Sequence, residues 1–344
     1  MGSRLLGGLS PREFLRRHWQ KRPLFARDAL PQFTGMPGKR ALGALAARDD
    51  VESRMVQRRG SRWETTQGPF PKAFIARKNA SLLVSGVNLH VAAADRLLRL
   101  FDFIPQARLD DVMVSYATPG GGVGPHVDSY DVFLIQGFGA RKWTVWSPHE
   151  SKKIFLSKPG DLLYLPPGWK HDGVALEDCT TYSVGFRAPR GAELGAAFLD
   201  FLHERGLPDA AFGDRHLLPS RQAGSIPEGM ISFADRVLGR IRWSRDDVVR
   251  FLGEFLTLPK PHVVFRASSA RGATIRLDPK TQLLYCGTRF FINGDAFSVP
   301  ARQRAALRAL ADRRAASARR LAGLAKLIGE WRRAGYLHRE KSSG

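Results

Sequence analysis

His126, Asp128 and His171 are the residues of this chain best suited to chemistry. They sit in two short segments, Gly124-Pro125-His126-Val127-Asp128 and Gly160 to His171. On an extended strand the two-residue period would send His126 and Asp128 to the same face, and His171 would complete the set from a second strand. Two imidazoles and one carboxylate on one face of an octahedron leave the opposite face open, which is what a non-haem Fe(II) oxygenase requires. The pattern therefore points to redox chemistry at a mononuclear iron. A His-x-Asp triplet alone is weak evidence, being more often part of a turn or a cap, so the surroundings decide.

The surroundings favour a built site. Pro119 to Pro125 is a glycine-rich run that lets backbone approach closely before the first ligand. Val132 to Gly137 is apolar and bounded by glycine, and Arg141 to Trp146 follows, a pattern that reads as a hairpin. Asp161 to Leu165 forms another short apolar strand, after which Pro166-Pro167-Gly168 turns the chain and aims His171 back towards the sheet. All three candidate ligands are expected at strand ends.

These residues resemble the JmjC-type, cupin-like 2-oxoglutarate oxygenases, in particular the bacterial ribosomal-protein arginine hydroxylases, or ribosomal oxygenases. The shared stretches are Val114 to Asp128, Tyr130 to Gly137, Gly160 to Gly173 and Tyr182 to Pro189, with a similar His18 to Leu24 near the N-terminus. The resemblance implies a double-stranded β-helix, Fe(II), 2-oxoglutarate as cosubstrate and a protein arginine side chain as substrate. It also implies that helices following the barrel mediate a homodimer. Two departures stand out. The connection 147–159 is shorter than the family's insert, which puts one wall of the substrate cleft, and with it the substrate, in question. Ala117 stands where a hydroxyl near the cosubstrate is expected, leaving the flanking Ser115 and Thr118 as candidates.

The distal carboxylate of 2-oxoglutarate needs a deep cation, and Arg141 is the candidate. Its planar fork can hold a carboxylate through two parallel hydrogen bonds, and Lys142 would point to the other face of the strand. The resemblance favours Arg141 too; the alternative is an exposed basic residue beside a hairpin turn. A guanidinium substrate would want a carboxylate and an aromatic face, for which Asp131, Tyr116, Tyr130 and Ser183 are candidates. Both tyrosines could equally be core residues. Trp169 is expected to close the barrel mouth. His90, His149, His203, His216, His262 and His338 lack a partner pattern and are read as solvated or locally bonded.

With 43% hydrophobic residues over 344 positions the chain can bury a sizeable core, so it is not a disordered protein. Two distant cysteines, Cys179 and Cys286, exclude a disulfide framework or zinc-knuckle spacing and suit a reducing cytoplasm. No secretory signal or membrane-spanning apolar stretch is recognisable, which leads us to expect a soluble protein. The formal charge is +22, from 54 basic and 32 acidic residues. From Ala301 onwards there are 12 basic residues against 3 acidic. Such a surface attracts polyanions, ribosomal RNA among them, although arginine-rich solvated helices can also arise from composition alone.

The expected fold class is α+β: a double-stranded β-helix with flanking helices, a helical dimerisation segment and a C-terminal winged-helix-like domain. Residues 1–103 are read as a helical and loop segment contributing to the barrel, opened by the capping box Ser10-Pro11-Arg12-Glu13. The catalytic core spans 104–190, the helical linker 191–256 and the basic winged-helix-like domain 257–344. Within the last, Thr274–Leu277 and Leu283–Cys286 read as strands around the Asp278-Pro279-Lys280 turn, and Asn293-Gly294 as a turn. Helices are expected from Pro300 to Ala311 and from Ala315 to Ala334. Three functions fit: an arginine hydroxylase acting on a large-subunit ribosomal protein, a related oxygenase with a histidine, methyl-lysine or RNA target, or a non-catalytic basic ribosome- or RNA-binding module. Retention of three ligands and a buried cation weighs against the last.

Overall fold

The structure, a computed structural model, describes residues 2–31, 33–70, 78–148, 151–268 and 272–340. Its centre is a pair of antiparallel sheets. In chain order the strands are β1 (Leu24–Ala26), β2 (Ser53–Arg59), β3 (Arg62–Gln67), β4 (Ala80–Val84), β5 (Leu109–Ala117), β6 (Val132–Phe138), β7 (Arg141–Trp146), β8 (Lys152–Ser157), β9 (Leu162–Leu165), β10 (Lys170–Ala175) and β11 (Cys179–Phe186). The large sheet runs β1-β9-β6-β11-β5-β4-β2-β3 and the small one β10-β7-β8. From β6 to β11 the chain passes repeatedly between the two sheets, the winding of a double-stranded β-helix. The expected hairpin is corrected here: β6 pairs with β9 and β11, β7 with β8 and β10. The turn at Gly139-Ala140 is a crossing between sheets. Gly139 has φ +62°, and a Cβ there would lie 2.2 Å from the Asp178 carbonyl oxygen, so only glycine fits the crossing.

Strand alternation divides the large sheet into two buried faces. On β5, Val112, Val114 and Tyr116 join a large apolar cluster with Phe14, Leu97, Leu98, Phe101, Phe133, Tyr164 and Phe186. Phe14 belongs to α2 (Pro11–Arg17), and Leu97 and Leu98 to α4 (Ala92–Arg99), so this face is covered by helices. Helix α1 (Gly2–Leu5) precedes α2, and α3 is Lys39–Ala46. The capping box at Ser10 and Glu13 is present, and α2 starts at Pro11 as expected. On the other face, Val132, Leu134, Leu163 and Leu165 pack against Trp143 and Val145 of the small sheet. The stretch to Phe103 is not merely helix and loop, because β1 to β4 are strands of the large sheet. Arg54, Arg58 and Arg59 disguise β2 as a solvated segment, yet it pairs with β4 along five residues.

Residues 1–188, 259–281 and 305–344 form one compact unit, and 189–258 with 282–304 a second. The first unit includes a small sheet ordered β16-β12-β17, with β12 Thr274–Leu277, β16 Ala315–Ser317 and β17 Leu337–Glu340. The second carries α5 (Gly191–Glu204), α6 (Glu228–Leu238) and α7 (Arg245–Thr257), with the meander β13 (Leu283–Cys286), β14 (Arg289–Ile292) and β15 (Asp295–Ser298). Asn293 and Gly294 both have positive φ, the backbone of the expected two-residue hairpin turn. Two expectations fail. β12 and β13 do not pair across the Asp278 turn, since β12 bonds to β16 and β17. The last helix, α9, begins at Ala325 rather than Ala315. After α8 (Ala301–Arg313), the left-handed Arg314 ends the helix and residues 315–317 are recruited as a strand.

Candidate metal centre

His126 and His171 meet through an antiparallel bridge in which each backbone N–H donates to the other's carbonyl, at 3.0 and 2.9 Å. Such a pair puts both side chains on one face. Asp128 lies two residues beyond His126 but in no strand, which corrects the picture of all three ligands at strand ends. His126 Nδ1–H donates to Gly124 O and His171 Nδ1–H to Trp169 O, both at 2.9 Å. These bonds leave the Nε2 lone pairs of both rings for a ligand. Both Nε2 atoms face the Asp128 carboxylate, at 3.9 Å from His126 and 3.6 Å from His171. One ligand atom from each residue lies within 4.8 Å of the others, and this is the one such cluster among the described residues. Burial lowers the His171 pKa, which keeps its ring neutral and able to coordinate.

The triad opens into a cavity of about 460 Å³ between the sheets. Arg141 is 4% exposed and lines it, with one Nη 3.7 Å from Cys179 Sγ and its Nε without a hydrogen-bond partner. A buried guanidinium with an unused donor calls for an anion, and the fork matches a carboxylate. The exposed alternative for Arg141 is thereby excluded, and Lys142 points outward as expected. Donor set and cation together fit Fe(II) and 2-oxoglutarate.

The other sequence candidates divide. Ser115, Tyr130 and Ser183 line the cavity. Thr118 does not, since its hydroxyl is engaged with the Ala80 backbone. Tyr116 faces the helix-side core, and its hydroxyl donates to Asp178. Asp131 is fully buried away from the cavity, accepting from Tyr164 Oη at 2.6 Å and Gln20 Nε2 at 3.0 Å, with Arg108 at 3.5 Å. Trp169, expected at the barrel mouth, packs against the inter-sheet cluster and is not among the residues lining the cavity. In the short connection after Trp146, β8 extends the small sheet; His149 and Glu150 lie outside the described residues.

Sequence reasoning missed the acidic rim. Glu52, Asp110 and Asp111 line the same cavity, with Arg54, Lys260 and Thr181. Asp110 and Asp111 lie near the start of β5, ahead of the Val114 to Asp128 stretch on which the sequence reading rested, and Lys260 comes from far along the chain. Burial raises the Asp111 pKa, and burial with the nearby Asp128 charge pushes the Tyr130 hydroxyl up to about 12.

A JmjC domain matches residues 96–194, and a ROXA-like winged helix matches 240–338. The chain is 34% identical over 331 residues to the ribosomal protein uL16 3-hydroxylase of Escherichia coli, covering 87% of this chain and 88% of that protein. It is 36% identical over 208 residues to a probable ribosomal oxygenase of Haemophilus influenzae, covering 54% of this chain and 52% of that one. Among solved structures, the Escherichia coli ribosomal oxygenase YcfD in complex with cobalt and 2-oxoglutarate superposes with a TM-score of 0.80 at 32% identity, covering 96% of this chain and 98% of that one.

Proposed function

Because the chain belongs to the JmjC-type ribosomal oxygenases, we propose that it hydroxylates an arginine side chain of a large-subunit ribosomal protein, uL16 being the first to test. As a member of that family it is a 2-oxoglutarate-dependent dioxygenase with a metal centre. We assign His126, Asp128 and His171 to Fe(II), Arg141 to the distal carboxylate of 2-oxoglutarate, and Ser115 to the same end of the cleft. The bound iron and cosubstrate supply oxygen insertion into an unactivated carbon. The protein supplies position: the Nδ1 bonds fix both imidazoles, the Arg141 fork orients the cosubstrate, and the apolar inter-sheet walls exclude water.

The observation that carries this reading is Arg141, a buried cation with an unused donor in the cavity that holds the triad. For the substrate, Asp110, Asp111 and the half-exposed Tyr130 offer carboxylates and an aromatic face to a guanidinium. Asp131, in its buried network, has no part in this.

We extend the reading to partners. Helix α6 has no buried residue and exposes Met230, Ile231 and Leu238, which supports docking to a second copy of the chain. Exposed Arg313, Arg319, Arg320, Lys326, Arg332 and Arg333 support contact with ribosomal RNA around the substrate. A ribosomal substrate implies action in the cytoplasm, and among the described residues no helix is long and apolar enough to cross a membrane.

The test is mass spectrometry of ribosomal proteins incubated with the enzyme, Fe(II), ascorbate and 2-oxoglutarate, with His126→Ala as control. A gain of about 16 Da on an arginine-containing peptide, absent from the control, is expected. Cosubstrate turnover without any modified ribosomal protein would overturn the substrate, and no turnover at all by iron-loaded protein would overturn the assigned roles.

A further inference from the structure

The acidic rim of the cleft already holds a cation. Lys260 Nζ lies 3.4 Å from Asp110 Oδ1 and 3.8 Å from Asp111 Oδ2, and all three side chains line the cavity of the metal triad. Lys260 stands between Pro259 and Pro261. A proline on either side restricts the backbone there, so the side chain is presented from a stiff base. Burial alone would lower the Lys260 pKa, but Asp111 and Asp110 outweigh it and raise it, and the ammonium stays charged.

The pairing is loose. Charge-assisted N–H to carboxylate bonds run at about 2.7 to 2.9 Å, so Lys260 leaves much of the acceptor capacity unused. Asp111 Oδ2 also accepts from Gly86 N at 2.7 Å, and Asp110 Oδ1 has Arg187 Nε at 3.6 Å. Asp111 is thus held in place by a backbone N–H and does not depend on the lysine for its position. A structural ion pair would be expected to close; this one stays open towards the cleft.

We infer that Lys260 is an internal competitor, occupying the cation subsite at Asp110 and Asp111 until an incoming basic side chain displaces it, and that it thereby lowers the affinity of the cleft for every basic side chain, so that only one gripping the carboxylates better than an ammonium binds appreciably. The inference rests on the proposed basic-side-chain substrate. An incoming lysine exchanges one ammonium for another and gains little. A guanidinium gains, because its fork makes parallel bonds that a point charge cannot. Lys260 therefore sets how strongly a cationic side chain must grip the carboxylates to enter, and it takes no part in the chemistry.

The test compares wild type, Lys260→Met and Lys260→Arg as full-length protein loaded with Mn(II) and 2-oxoglutarate. Calorimetry with argininamide and lysinamide reads the subsite without turnover. Lys260→Met is expected to bind argininamide and lysinamide each roughly fivefold tighter, the scale of a partly exposed ion pair, because a competitor that must leave penalises both probes equally. Lys260→Arg should weaken both, since a tethered guanidinium competes better. Opposite shifts from the two variants cannot come from a general loss of structure. Weaker or unchanged binding of both probes by a folded Lys260→Met protein overturns the inference, as does tighter argininamide binding by Lys260→Arg. If the expected shifts occur but no ribosomal arginine is hydroxylated, the competitor stands and the proposed substrate falls. If ribosomal arginine is hydroxylated with the same KM by all three proteins, the competitor falls and the substrate stands.

Discussion

His126 and His171 exchange both backbone hydrogen bonds, and their rings lie 4.2 Å apart between centroids. Two proposed metal ligands distant in sequence are thus clamped by main chain, independently of their side chains. His126→Ala should keep this bridge and the fold while lowering metal affinity by more than about 100-fold, beyond what loss of a supporting bond alone produces. Co(II) titration followed by its absorption spectrum, beside a thermal melt, would check both halves. Retained Co(II) affinity in the variant would remove His126 from the ligand set.

Gly124 fixes the first histidine from below. Its carbonyl takes the His126 Nδ1–H, its φ is +82°, and a Cβ there would lie 2.6 Å from Trp63 Nε1. Gly124→Ala must strain the backbone and push against the indole, at a cost of about 1–3 kcal/mol. The displaced carbonyl should also release the ring, so metal affinity falls about tenfold even though no ligand is lost. Denaturant unfolding with and without Co(II) separates the two effects; a loss of stability with affinity intact would mean that the carbonyl does not orient His126.

Tyr164 and Asp131 form a buried polar network behind the sheet, and its prediction concerns stability. Burial and the hydrogen bond to Asp131 raise the Tyr164 pKa above its ordinary value of 10. A group whose pKa is raised on folding gives its full stabilisation below the unfolded value and loses it as pH rises past it. The protein should therefore lose stability progressively above pH 10, and Tyr164→Phe should flatten that slope. Asp131→Ala should cost about 2–4 kcal/mol at neutral pH by stranding Tyr164, Gln20 and Arg108, with little change in substrate KM. A KM effect in a protein of wild-type stability would return Asp131 to the cleft.

The parts legible in the sequence were those whose chemistry is local. His126, Asp128 and His171 announce themselves by residue type within two short segments, and Arg141 by its place on an alternating strand. Ser10 and Glu13 fix a helix start within four residues. What failed was decided by partners far along the chain. β5 is buried on both faces, so its composition does not tell that Tyr116 faces the helices and Ser115 the cleft. The segments 132–138 and 141–146 carry every local sign of a hairpin, yet each finds its hydrogen-bond partners elsewhere. The rim carboxylates became visible only when residues 110, 111 and 260 came together.

Arg141 gives the prediction in which function and stability oppose one another. Its guanidinium is buried, its Nε has no partner, and the Sγ of Cys179 at 3.7 Å is a weak acceptor. A buried cation with only the Trp143 ring face at 5.5 Å and a weak sulfur acceptor beside it is costly, and replacing it with an apolar side chain of similar length removes that cost. Arg141→Met should therefore raise the unfolding free energy of the ligand-free protein by about 1 kcal/mol or more. The same change should weaken 2-oxoglutarate binding by about 30-fold or more, because the distal carboxylate loses its charged partner, while leaving Co(II) affinity nearly intact. Arg141→Lys should fall between, since an ammonium supplies charge without the fork. Thermal melts of the ligand-free proteins and calorimetric 2-oxoglutarate titrations in the presence of Mn(II) measure the two sides. A variant that loses stability and keeps cosubstrate affinity would mean that Arg141 is a structural cation and that another group anchors the carboxylate.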